Sequence, residues 1–194
     1  MHIEKSEVSE IFKGLELKDH EIEFIKTVLH KKNYSKGALI IKNGVQVDQT
    51  FGVKSGCLRT YHVDKVGKEH TLQFAIKGWW ITDYTSFFLK SKAIMNLEVI
   101  QDAVVYQLSF QDREELFKKI PTLESFIRTR LENSYAAFQK RVLGNLSKTA
   151  KERYLDFIST YPNIEKRVKN YHIASYLGIT TESLSRIRRE LTQI

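Results

Sequence analysis

The stretch from Asn170 to Leu191 constrains this chain most. Ile173 and Leu177 sit four residues apart on one face of a first helix, with small Ala174 beside them where a second helix must cross closely. Gly178 follows at the expected helix end, where a left-handed backbone costs glycine little. Ile179 plugs the turn, Thr180 suits the N-cap of the next helix, and Glu182 suits that helix's positive end. Leu184, Ile187 and Leu191 then recur at three and four, one buried stripe. The pattern is a helix-turn-helix. Its second helix shows Thr181, Glu182, Ser185, Arg186 and Arg189 outward: short polar groups and a carboxylate that suit base edges, and arginines that suit guanine or phosphate. The plainer alternative is a structural helical hairpin of the same spacing.

Charge distribution separates the two. Residues 1–112 hold 15 Lys/Arg and 14 Asp/Glu, whereas residues 113–194 hold 16 and 9. The excess of the net +8 charge therefore lies with the helix-turn-helix, as attraction to phosphate requires. A merely solvated lysine-rich surface predicts no such segregation. No run of about 18 apolar residues suggests a membrane span. The first eight residues lack the apolar core of a signal peptide. A single cysteine, Cys57, rules out an internal disulfide, and a cytoplasmic location is the expectation.

Ahead of the basic half, residues 3–31 read as helical, with a helix start around Leu17–Ile22 and Asp19 near its cap. Six of the nine glycines then fall between Gly37 and Gly78. They separate short β-rich runs at Ala38–Lys42, Gln49–Lys54, Leu58–Val63, His70–Ala75 and Leu97–Leu108, which suggests a small antiparallel barrel or sandwich. Asp112–Ile120 is a short helix before Pro121, and residues 122–145 form one long helix. On it Ile127, Leu131, Phe138 and Val142 mark a coiled-coil-like seam, with Ser134 at the missing step. Leu123, Phe126, Tyr135 and Leu143 form a flanking stripe suited to face the barrel. Gly144–Ser147 reads as a hinge, and Ala150–Tyr161 as a further helix.

This order of parts, with Lys36-Gly37 and Gly44, Ser55–Tyr61 (SGCLRTY), Gly67–Glu69 (GKE), Leu72–Phe74 (LQF), Ile173–Ile179 (IASYLGI) and Glu182–Ile187 (ESLSRI), resembles the CRP/FNR family of bacterial transcription regulators. The resemblance implies an α+β fold. An N-terminal antiparallel β-barrel of the jelly-roll (double-stranded β-helix) type, a cyclic-nucleotide-binding-like sensory domain with flanking helices, occupies residues 1–120. A dimerisation helix spans 121–146, and a winged helix-turn-helix DNA-binding domain spans 147–194. It implies a homodimer on a palindromic double-stranded operator, contact with RNA polymerase, and a small-molecule effector. Thr181, Glu182 and Arg186 take the base-reading positions; best-known members carry Arg where Thr181 stands, so the half-site should differ. Arg189 and Lys169 suit phosphates.

The sensory segment departs from the cyclic-nucleotide pattern, which needs a Gly-Glu pair and then an Arg before a small hydroxyl residue. No Arg lies between Arg59 and Arg113. Asp83 and Lys92 are the nearest stand-ins for the Glu and the Arg, and Trp80 with its aromatic neighbours suits either an apolar pocket or plain core. Cys57 alone cannot hold an iron–sulfur cluster. His62 and His70 are the paper candidates for a haem ligand, and with Glu69 for a cupin-like metal site. Glu69 and His70 are adjacent, however, and point to opposite faces of a strand. A regulator is therefore expected, not an enzyme; a ligand sensor whose helical domain contacts protein is the alternative. No cofactor is specified by the sequence.

Overall fold

The computed structural model describes residues 3–192. Two compact units form: residues up to Thr60 together with Phe74–Leu131, and Tyr61–Gln73 together with the residues from Glu132 onward.

In the first unit, α1 (Lys5–Ile11) and α2 (Asp19–Val28) precede the sheet. Each starts with a carboxylate reaching back: Glu7 accepts from the Glu4 amide at 3.0 Å and Glu21 from the Lys18 amide at 2.7 Å. Asp19, expected near the cap, is the first helical residue, directly after the Lys18 N-cap, and pairs with Lys5 at 2.5 Å.

The strands are β1 (His30–Tyr34), β2 (Leu39–Ile41), β3 (Gln49–Val63), β4 (Glu69–Ala75), β5 (Trp80–Ile81) and β6 (Asn96–Ser109). They form one six-stranded sheet ordered β1-β6-β3-β4, with β2 also on β6 and β5 also on β3. β1 runs antiparallel to β6 from His30 opposite Gln107 to Tyr34 opposite Ala103. The two runs expected at Gln49–Lys54 and Leu58–Val63 are one strand. Gly56 carries the chain through at φ +90°, where a Cβ would stand 2.4 Å from the Asp102 carbonyl oxygen.

Alternation along β6 sends neighbours to opposite faces. Val105 joins an inner core with Phe51, Leu58, Ile81, Leu97 and Val99. Tyr106 and Leu108 join an outer core with Val8 and Phe12 of α1, Ile22 and Ile25 of α2, and Leu116 of α4 (Phe110–Lys119). Ile120 and Leu123 complete it as the chain turns into α5 (Pro121–Ser147). α3 (Tyr84–Leu89) is a single short helix after β5.

In the second unit, α6 (Ala150–Thr160) begins at Thr149, whose hydroxyl and amide exchange bonds with Glu152 in a capping box. A short 3₁₀ turn at Ile164–Lys166 leads to α7 (Asn170–Leu177) and α8 (Thr181–Thr192). Phe157, Tyr161 and Tyr176 pack with ring centroids 5.2–5.9 Å apart. Within this unit the Ser175 hydroxyl donates to the Glu69 carbonyl at 2.7 Å and accepts from the Thr71 amide at 2.9 Å. α7 and the β3–β4 hairpin are thereby joined.

Two expectations change here. The hinge expected at Gly144–Ser147 is helical; the break falls at Lys148–Thr149, and the Lys148 amide still bonds the Gly144 carbonyl at 2.9 Å. The wing implied by the family resemblance has no strand among the described residues from Lys148 to Thr192, all of which are helix, turn or loop.

Candidate nucleic-acid interface

Gly178 ends α7 at φ +66°. Its amide reaches the Ala174 and Ser175 carbonyls, and the Ile179 amide bonds the Ala174 carbonyl at 3.0 Å, so the helix closes in a Schellman-type turn. Thr180 caps α8: its hydroxyl accepts from the Ser183 amide at 3.2 Å. Ile173, Ala174, Leu177, Leu184 and Ile187 are all buried, so the two helices seal against each other along the stripe read in the sequence.

The opposite side of α8 is open. At about 100° per residue, Glu182, Ser185, Arg186 and Arg189 fall within an arc of about 100°. All four are exposed, and Thr181 stands half-buried at the margin. Arg186 and Arg189 have no carboxylate partner among the described residues. The Glu182 carboxyl is held below its ordinary range by its own amide and by the Thr180 and Thr181 hydroxyls. The Thr181 hydroxyl donates to Glu182 at 3.0 Å, so the carboxylate is charged and oriented. Ser185 is partly spent, donating to the Thr181 carbonyl at 2.9 Å. Lys169 is exposed at the start of α7, 5.6 Å from the Tyr171 ring.

Sequence reasoning missed Arg188. Its guanidinium donates to the Tyr154 hydroxyl at 3.1 Å and the Asn170 side chain at 2.7 Å, tying α8 to α6 and α7. The signal was its position four residues after buried Leu184, on the inner flank of the helix.

Along α5 the seam is wider than read. Ile127 and Leu131 are half-buried, while Phe138 and Val142 are exposed. Tyr135 and Leu143, expected to face the barrel, are 62% and 63% exposed; only Leu123 and Phe126 of that stripe are covered. Tyr135 and Leu146 fall with the seam, so Ile127, Leu131, Tyr135, Phe138, Val142 and Leu146 share a stripe about 100° wide. Leu146 is 81% exposed.

The three residues singled out for an effector do not converge. Asp83 is fully buried and caps α3. Its carboxylate accepts from the amides of Thr85, Ser86, Ile94 and Met95 at 2.8–3.2 Å and from the Thr85 hydroxyl at 2.5 Å. Burial raises its pKa, but these bonds outweigh burial and hold it below the carboxylate range. No lone pair is left to face a ligand. Lys92 is exposed on a bridge to Gln46, and Trp80 lies over Gly52 on the outer side of the sheet. Arg59 is buried against Glu98 at 2.7 Å. Of the histidines considered for metal, His70 pairs with Asp64 at 2.8 Å beside the hairpin turn. Among the described residues no three His, Cys, Asp or Glu side chains are grouped to hold a metal ion.

Residues 31–120 match the model of the cyclic nucleotide-binding domain. Over 96% of this chain and 77% of the relative, the sequence is 24% identical to the anaerobic regulatory protein of Aggregatibacter actinomycetemcomitans. It is 23% identical, over 96% of this chain and 79% of the relative, to the fumarate and nitrate reduction regulatory protein of Yersinia pestis. Among solved structures, FixK2 from Bradyrhizobium japonicum superposes with a TM-score of 0.75 at 18% identity, covering 86% of this chain and 85% of that one. A putative regulator of the CRP/FNR family from Eubacterium rectale gives 0.68 at 20% identity, covering 91% and 84%. The chain thus carries a cyclic nucleotide-binding domain ahead of a helix-turn-helix and is similar along nearly its whole length to transcription regulators of the CRP/FNR type.

Proposed function

We propose that the chain acts as a homodimer and binds a palindromic DNA operator through α8. The observation that carries this reading is the division of α8 into a sealed side and an open side with two unpaired arginines and an oriented carboxylate. In this reading Arg186 forks onto guanine, Glu182 accepts from a cytosine amino group, and Thr181 sets its methyl against a thymine methyl. Arg189 and Lys169 take phosphates. Ser185 contributes a weaker polar contact, since its hydroxyl already serves the helix.

Support for the homodimer is the uncovered apolar stripe of α5, which a second copy of the same helix buries in coiled-coil fashion. Two α8 helices then enter successive major grooves about 34–36 Å apart. RNA polymerase is the expected protein partner and the cytoplasm the expected location. Among the described residues, no helix is long and apolar enough to cross a membrane. The domain division we adopt keeps residues 1–120 as sensor, 121–146 as dimerisation helix and 147–194 as DNA-binding unit. The sensor takes an effector other than a cyclic nucleotide, since Asp83 is consumed by its own loop.

Mobility-shift titration of light-scattering-characterised protein against operator DNA tests the reading. A dimer whose log affinity falls steeply with log salt is expected; a monomer, or salt-independent binding, overturns it.

A further inference from the structure

A concavity of the first unit lies on the outer face of the sheet, the face that carries Tyr106 rather than Val105. It is small, about 50 Å³, room for a few waters or a short organic molecule. Its floor is apolar: Ile11 of α1, the bare backbone of Gly52, and the Trp80 indole. Gly52 is required there, because a Cβ would stand 2.8 Å from the Trp80 ring. Its rim is basic: Lys54, Lys77 and Arg130 line it against the single carboxylate Glu10.

Two of the three cations are already paired. Lys54 bonds Glu7, which raises its pKa, and Lys77 meets Glu10 at 2.7 Å. Arg130 has no carboxylate among the described residues; its guanidinium rests 4.9 Å from the Phe126 ring centre. A guanidinium held on an aromatic face presents its N–H fork outward, the geometry that takes a carboxylate in two parallel bonds. A spare fork, a net excess of positive charge and an apolar floor together describe a receptor for an anion with a short hydrocarbon body.

We propose that this cleft binds a small organic carboxylate, its oxygens on Arg130 with help from Lys77 and its carbon chain over Trp80 and Ile11. Inorganic phosphate shares the anionic group but leaves the apolar floor unused, so it binds more weakly. Arg130 stands outside the apolar stripe proposed for dimerisation, roughly 100° around the helix from Leu131. Carboxylate binding therefore stands or falls independently of DNA binding and of the dimer.

The chain has two tryptophans, so Trp79→Phe leaves Trp80 as sole indole reporter. Propionate is titrated into full-length Trp79→Phe protein at constant ionic strength, alone and with Arg130→Gln added. Exposed Arg130 can be changed without opening the core, and circular dichroism confirms the fold of each variant. The expected result is a saturable change in Trp80 emission whose midpoint rises at least tenfold in Arg130→Gln, with inorganic phosphate at least tenfold weaker than propionate. A change that never saturates, equal midpoints with and without Arg130, or phosphate as tight as propionate overturns the proposal.

Discussion

Arg186 and Lys169 are both exposed cations, yet the account gives them different tasks. Arg186→Ala removes a base contact, so it lowers discrimination at one half-site position by about 1–3 kcal/mol and leaves other positions unchanged. Lys169→Ala removes a phosphate contact, weakens all sequences alike, and reduces the salt slope by about one. Binding to a panel of single-base operator variants separates the two; identical profiles would refute the division. The same scale holds an acid-sensitive anchor. Glu7 accepts from Lys31 at 2.8 Å, from the Tyr106 hydroxyl at 2.9 Å and from Lys54, joining α1 to the sheet. Burial pushes its carboxyl up, but these partners overcome burial and hold it at about 2, below the ordinary 4.5. A depressed folded-state pKa stabilises above the unfolded value and loses that contribution as pH falls. Between about pH 4.5 and 2, Glu7→Gln should therefore lose less stability than the unaltered chain, as read from urea midpoints. Equal acid losses would remove Glu7 from the account. Such roles were only partly legible in the sequence. The outward face of α8 follows from spacing alone, whereas Glu7, Asp83 and Arg188 owe their roles to partners 99, 12 and 34 residues away.

At the scale of elements, local pattern succeeded where one side of an element is apolar and failed where it is not. α7 and α8 carry a 3.6-residue stripe and were read with their turn. β1 has the sequence HKKNY, with no alternation, and exists because β6 offers it a partner. β3 reads as two strands because Gly56 stands between its two β-rich runs; the close approach of Asp102 and Ala103 makes Gly56 a passage rather than an end. Gly56→Ala should accordingly destabilise the chain by about 1–3 kcal/mol or more, from the positive φ and the collision with backbone. A thermal midpoint unchanged within a degree would contradict that. α5 is the reverse case, too apolar for its surroundings. With Tyr135, Phe138, Val142, Leu143 and Leu146 all at least 40% exposed, it needs a partner to bury them. Phe138→Glu should convert dimer to monomer by light scattering while helix content persists; a variant that stays dimeric would move the interface elsewhere.

Three parts make up the whole molecule. A cyclic-nucleotide-binding-type sheet has the Asp83 carboxylate turned inward for structure, a long helix is left open along one stripe, and a basic helical unit has one arginine-bearing face unpaired. Charge segregation announced the last of these and heptad-like spacing the second. The first was concealed, because the bonds that exhaust Asp83 come from the backbone of Ile94 and Met95, which no side-chain pattern reveals. The central claim is that two copies present two α8 helices to one duplex. Selection of sites from a random DNA pool by the purified protein, repeated with Arg186→Ala, tests it most directly. The account predicts an enriched palindrome with half-site centres about 10–10.5 base pairs apart, losing preference at one symmetric position in the variant. An enriched site without two-fold symmetry, or one unchanged by Arg186→Ala, would contradict it.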